Sequence, residues 1–163
     1  MMFPSSFAWA FAVMVVSEAG AAEAKRWVEK GNSHFNSGRY ESALEAYDRA
    51  IERDPTSVDA WNNRGIALSY MGRYEDALKS YDEALRLDPN HAFAWNNKGM
   101  ALGSMRRYKE ALACFDKALE IDAYFIGAWY NKSHAMAALG RAREARAAMI
   151  TAKILESAAR RCK

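Results

Sequence analysis

The chain has 163 residues, 51% apolar and 26% charged, which fits one folded domain and excludes a low-complexity or disordered class. Two cysteines, Cys114 and Cys162, are too few for a disulfide framework, and their spacing matches no metal motif. A formal net charge of +3 is too small to dictate a partner by charge alone.

Residues 1–23 form the first segment. Phe7–Val16 is an unbroken apolar run, too short to cross a bilayer as one helix. Three readings stay open: a secretory signal with Ala22-Glu23-Ala24 as its cleavage site, a helix docking on the next unit, or a membrane anchor. Met1–Ser6 contains no Lys or Arg and Glu18 lies close to the cut, which tips the expectation toward a cytoplasmic protein, with export as the alternative.

From residue 24 the chain repeats. Trp27, Trp61, Trp95 and Trp129 stand 34 residues apart, and their surroundings recur at the same interval. Gly31, Gly65 and Gly99 follow at one offset, and Ala43, Ala77, Ala111 and Ala145 at another. Tyr47, Tyr81 and Phe115 form a third series, with Ala50, Ala84, Ala118 and Ala152 as a fourth. A fixed period of this length means stacked supersecondary units. The units are 24–57, 58–91, 92–125 and 126–159, with 161–163 as a basic tail.

Each unit reads as two antiparallel helices. In the second, Ala60, Trp61, Gly65, Leu68 and Met71 mark one stripe, and Tyr74, Ala77, Leu78, Tyr81, Ala84 and Leu85 mark the other. Gly38, Gly72 and Gly140 fall where first helices end, in the left-handed cap that glycine tolerates; Arg106 stands there in the third unit. Pro55 and Pro89 hold the preceding Asp54 and Asp88 out of helix, and Ala123 replaces the third proline. The fourth unit departs most, with Ser133, Ala142 and Met149 at the Gly, Tyr and aromatic positions. A long helix over 142–160 is expected to close the stack. Arg141, Arg143, Arg146, Lys153, Arg160, Arg161 and Lys163 make this end basic against only Glu144 and Glu156.

The recurring Trp–Gly–Ala–Tyr/Phe–Ala–Pro pattern resembles the tetratricopeptide repeat (TPR) family. The resemblance covers roughly residues 24–160. It implies an all-α, right-handed superhelix of stacked antiparallel helix pairs, an α-solenoid of four TPR-like repeats with the last as a degenerate cap. It also implies that first helices line a concave groove. Carried onto this chain, that face includes Lys25, Val28, Glu29, Asn32, Asn36, Asp59, Asn62, Asn63, Ile66, Tyr70, Phe93, Asn96, Asn97, Met100, Ser104, Tyr130, Asn131, His134 and Ala138. Asn63, Asn97 and Asn131 share one repeat position. Such a ladder of carboxamides can pair with the backbone of an extended peptide, or it can be solvated family consensus. The expected peptide-binding residues are Asn32, Asn63, Ile66, Phe93, Asn97, Met100, Tyr130 and Asn131. One subgroup of the family clamps the C-terminal carboxylate of chaperones. Asn32 and Asn63 match two clamp positions, but Val28, Phe93 and Asn97 stand where its cations belong, so that partner is not expected.

No catalytic arrangement emerges: there is no phosphate loop and no His-Glu-x-x-His pair, and His34, His91 and His134 are far apart. No enzyme activity, cofactor or metal is expected. The function expected is non-catalytic binding of an extended peptide or protein segment, its identity unspecified by the sequence. The alternatives are self-association through the repeat ends, or a basic C-terminal helix that touches nucleic acid or an acidic surface. Nucleic acid is the weaker partner, because the basic residues alternate with alanine and offer no stacking aromatics.

Overall fold

The computed structural model describes residues 6–161, with side-chain surroundings from residue 19 onward. Cys162 and Lys163 of the basic tail and the side chains of the Phe7–Val16 run lie outside the described residues. Eight helices follow in order: α1 (Ser6–Asn36), α2 (Tyr40–Arg53), α3 (Val58–Tyr70), α4 (Tyr74–Leu87), α5 (Ala92–Ser104), α6 (Tyr108–Ile121), α7 (Ile126–Ala138) and α8 (Ala142–Arg161). No strand occurs among the described residues, and no described helix is long and apolar enough to cross a membrane. The expected boundary at 23/24 falls inside α1, which is continuous. Each helix packs on its neighbours in sequence, and the first helices of successive pairs touch one another: α1 with α3, α3 with α5, α5 with α7. Among the described residues contacts reach no further along the stack, which makes this an α-solenoid.

Small residues set the spacing between helices. Ala43, Ala77 and Ala111 are fully buried where second helices begin, as are Ala50, Ala84 and Ala118 one face further on. Gly31, Gly65 and Gly99 lie under the rings of Tyr47, Tyr81 and Phe115. A Cβ on any of them would sit 2.4–2.5 Å from a ring carbon. In the fourth pair Ser133 and Met149 replace both partners, and the Ser133 hydroxyl donates to the Ala145 carbonyl at 2.8 Å.

The turns also repeat. Gly38, Gly72 and Gly140 have φ of 72–75°, and Arg106 adopts the same left-handed conformation at φ 59°. In all four turns the next residue closes the cap, with Arg39, Arg73, Arg107 and Arg141 N–H groups donating to His34, Leu68, Leu102 and Met136 carbonyls. Between pairs, Asp54, Asp88 and Asp122 are extended, and each carboxylate accepts the backbone N–H two residues on at 2.9 Å. The indole N–H of Trp61, Trp95 and Trp129 donates to the carbonyls of Pro55, Pro89 and Ala123 at 2.9–3.0 Å. The third turn therefore keeps its shape without proline: aspartate and tryptophan hold it.

Candidate functional site

The face built by the first helices carries two clefts in one repeat register. One, of about 350 Å³, is lined by Ile66, Ser69, Tyr70 and Tyr74 on one side and Asn97, Met100 and Ser104 on the other, with Tyr81 beneath. The other, of about 480 Å³, repeats this one unit later with Met100, Gly103, Ser104, Tyr108, Phe115, Asn131, His134 and Ala138. Met100 belongs to both and is 50% exposed. Neither cleft is lined by Lys, Arg, Asp or Glu. Burial pushes the Tyr81 phenol up to about 12, and its oxygen lies 3.2 Å from Ser69 Oγ, so it stays neutral.

The asparagine ladder is partly spent inside the fold. Asn63 Nδ2 donates to Asn32 Oδ1 at 3.1 Å, Asn97 Nδ2 to Asn62 Oδ1 at 3.1 Å, and Asn131 Nδ2 to Asn96 Oδ1 at 2.9 Å. The acceptors Asn62 and Asn96, expected on the open face, are buried at 7% and 6% exposure. They join one repeat to the next. Asn32 also accepts from the Tyr47 hydroxyl at 2.8 Å, and Asn63 Oδ1 accepts from Asn62 Nδ2 at 3.1 Å. Asn97 and Asn131 keep a carboxamide oxygen with no hydrogen-bond partner among the described residues, and these are the two that line the clefts.

Ile66, Asn97, Met100 and Asn131 are thus brought together, whereas Asn32, Asn63, Phe93 and Tyr130 line neither cleft. Phe93 is 61% exposed and packs at a tilt on Phe125 with ring centres 4.8 Å apart. The Tyr130 hydroxyl donates to Glu156 at 2.9 Å, a bond that raises its own pKa and lowers that of the carboxyl. Tyr74, Tyr81, Tyr108 and Phe115 belong to the hydrophobic core as well. They serve the core with one side of the ring and wall the clefts with the other, and a periodic aromatic carries no signal that separates the two.

A second recurring device was not anticipated. The basic residue three after each Trp lies over the indole: Lys30, Arg64, Lys98 and Lys132 at 4.5–6.0 Å from the ring centre. Arg64, Lys98 and Lys132 also pair with Asp48, Asp82 and Asp116 of the preceding unit at 2.6–2.7 Å. Their charge is thus neutralised between repeats. Cys114 is buried, and burial raises its thiol pKa, which leaves it unreactive. Among the described residues no group of three or more His, Cys, Asp or Glu is placed to hold a metal.

The tetratricopeptide repeat family pattern matches residues 58–91 and 92–125, and a related TPR repeat pattern matches 31–72. By sequence, no curated protein matches significantly. Solved structures do. A crystal structure of MamA superposes with a TM-score of 0.78 at 22% identity, over 85% of this chain and 81% of that one. MamA (41-end) from Desulfovibrio magneticus RS-1 gives 0.74 at 25% identity, over 83% and 76%. The first TPR of Spaghetti (RPAP3), bound to the HSP90 peptide SRMEEVD, gives 0.72 at 23% identity, over 74% and 95%.

Proposed function

The chain belongs to the tetratricopeptide repeat family, and from that premise we propose that it is a non-catalytic module binding an extended protein segment along the face of its first helices. The observation that carries this reading is the pair of clefts, which share Met100, contain no charged lining residue, and each present one uncommitted asparagine oxygen. Backbone N–H groups of the segment donate to Asn97 and Asn131, and an apolar side chain enters each cleft. Packed helices lie about 8–10 Å apart, so side chains roughly three residues apart in an extended segment reach both clefts. The uncharged lining supports a partner other than an acidic chain terminus, which draws its affinity from charge-assisted bonds.

Selection of random twelve-residue peptides displayed on phage, in parallel on the wild type and on Met100→Glu, tests this. The expected outcome is enrichment of peptides with apolar residues spaced by three and no acidic bias, weakened at least about tenfold by the buried charge of the variant. Their affinity should change little between low and physiological salt. Enrichment of acidic C-terminal sequences, or equal binding by Met100→Glu, overturns the reading.

A further inference from the structure

Every second helix turns one face to the next repeat, and the residues on that face recur. Leu44, Leu78 and Leu112 hold one position, Asp48, Asp82 and Asp116 the next, and Ile51, Leu85 and Leu119 a third. Leu44 packs on the core of the second repeat and Leu78 on that of the third. Leu85 and Leu119 pack on Ala94 and Ala128 of the following helices. The aspartates receive Arg64, Lys98 and Lys132.

On α8 the same three positions read Arg146, Ile150 and Lys153. Ile154 stands where the inner repeats have Glu52, Arg86 and Glu120. All four side chains are exposed, Ile150 at 57% and Ile154 at 59%. They share one helical face with Arg143 and Arg161, and no Asp or Glu lies on it. Both glutamates of α8 point elsewhere and are paired, Glu144 with Arg141 and Glu156 with Arg160. Contact with water alone would favour the two cations. It would not favour two isoleucines at positions that are charged in all three inner repeats.

We propose that this face of α8 docks an acidic amphipathic helix of a partner protein, seated as the first helix of a further repeat would be. The three inner junctions show that this face of a second helix receives a helix. The charge order is reversed: inside the stack the incoming helix brings the cation and the face supplies the aspartate. Here the face supplies Arg146 and Lys153, so the incoming helix must bring carboxylates, with apolar side chains against Ile150 and Ile154. A second copy of this chain does not meet the requirement. Its α1 would present Arg26 where the inner helices have Ala60, Ala94 and Ala128, and Lys30 where they have the paired cations. Cations would then oppose cations. An anionic bilayer would attract the same charges, but only two isoleucines protrude, which gives little area to insert.

The probe is a stapled helix of residues 58–70, in which Ala60 takes the place opposite Lys153 and Arg64 the place opposite Ile150, made with Ala60→Glu and Arg64→Leu and compared with the unmodified peptide. Fluorescein-labelled peptides are titrated with the full chain and read by anisotropy. The acidic peptide should bind at least tenfold tighter than the unmodified one. The double variant Arg146→Glu/Lys153→Glu should reverse that order, and Ile150→Ser/Ile154→Ser should abolish binding of both peptides with unchanged helicity. Met100→Glu should leave this binding intact, which separates it from the groove. Equal affinity for the two peptides, or indifference to Arg146→Glu/Lys153→Glu, overturns the proposal. So does failure of the acidic peptide to bind while vesicles containing phosphatidylserine bind the wild type and not the variants, an outcome that assigns the face to a membrane.

Discussion

The third and fourth repeats share helix register, cap geometry and the indole-locked turn, yet they differ at two kinds of position. Gly99 lies under the Phe115 ring in the third, whereas in the fourth Ser133 donates to the Ala145 carbonyl and Met149 stands at the aromatic position. On the outer face, Leu112, Asp116 and Leu119 of the third become Arg146, Ile150 and Lys153. Both differences arise between helices, where a residue is chosen for what it meets. Helix propensity plays a minor part: glycine is a poor helix former, and Gly31, Gly65 and Gly99 nevertheless sit well inside helices.

The largest effect is expected where that pairing is broken. In Gly99→Ala the new Cβ would lie 2.5 Å from Phe115 Cε1, closer than such atoms approach. Overpacking costs about 1–3 kcal/mol, and the gain in helix propensity offsets about 1 kcal/mol of it. A net loss of up to about 2 kcal/mol should appear in urea unfolding. Transplanting the fourth-repeat pair, Gly99→Ser with Phe115→Met, should recover much of that loss. A neutral Gly99→Ala would mean that the ring moves aside freely and that the fourth-repeat pair did not need to change together.

The carboxamide ladder crosses the second–third and third–fourth junctions alike, so it tests what the two have in common. Asn97→Ala would leave the buried Asn62 Oδ1 without its donor, as Asn131→Ala would leave Asn96. Each should lower stability by about 1–2 kcal/mol. Melting therefore has to be followed beside any binding loss, because these side chains hold the stack as well as facing a cleft. Unchanged unfolding of both variants would return the ladder to the solvated role.

The repeat, the eight helices and the odd cap at Arg106 were legible because each follows from local pattern: a period of 34, small residues at fixed offsets, and glycine at a turn. The clefts were legible only in part. Asn63, Asn97 and Asn131 look identical in sequence, and only packing shows that Asn63 has both its oxygen and a donor engaged while the other two keep an oxygen free. In the Trp–cation–Asp ladder the Trp and its cation share one helix, but the aspartate lies in the preceding helix, and no single-helix stripe reveals that pair. Phe93 holds the groove position in the period and lies at the start of α5, where its exposed ring packs at a tilt on Phe125 and lines neither cleft.

The smallest effect concerns the one turn that sets the third repeat apart from the other three. Arg106 holds φ 59° where Gly38, Gly72 and Gly140 hold 72–75°, and its cap hydrogen bonds match theirs, Arg107 N–H to Leu102 at 2.9 Å among them. The conformation is imposed by the cap, and a residue with a Cβ costs about 1 kcal/mol or more to place there. Glycine removes that cost but also loosens the unfolded chain, which offsets about 0.4–1 kcal/mol. Arg106→Gly should therefore raise stability only slightly, by about 0.5 kcal/mol. At the equivalent turns a Cβ would meet nothing within 4 Å, so Gly72→Ala isolates the same backbone effect with opposite sign. The check is the urea midpoint of both variants at unchanged transition slope. A clear loss of stability in Arg106→Gly would mean that the arginine side chain holds this turn by contacts that outweigh its backbone strain.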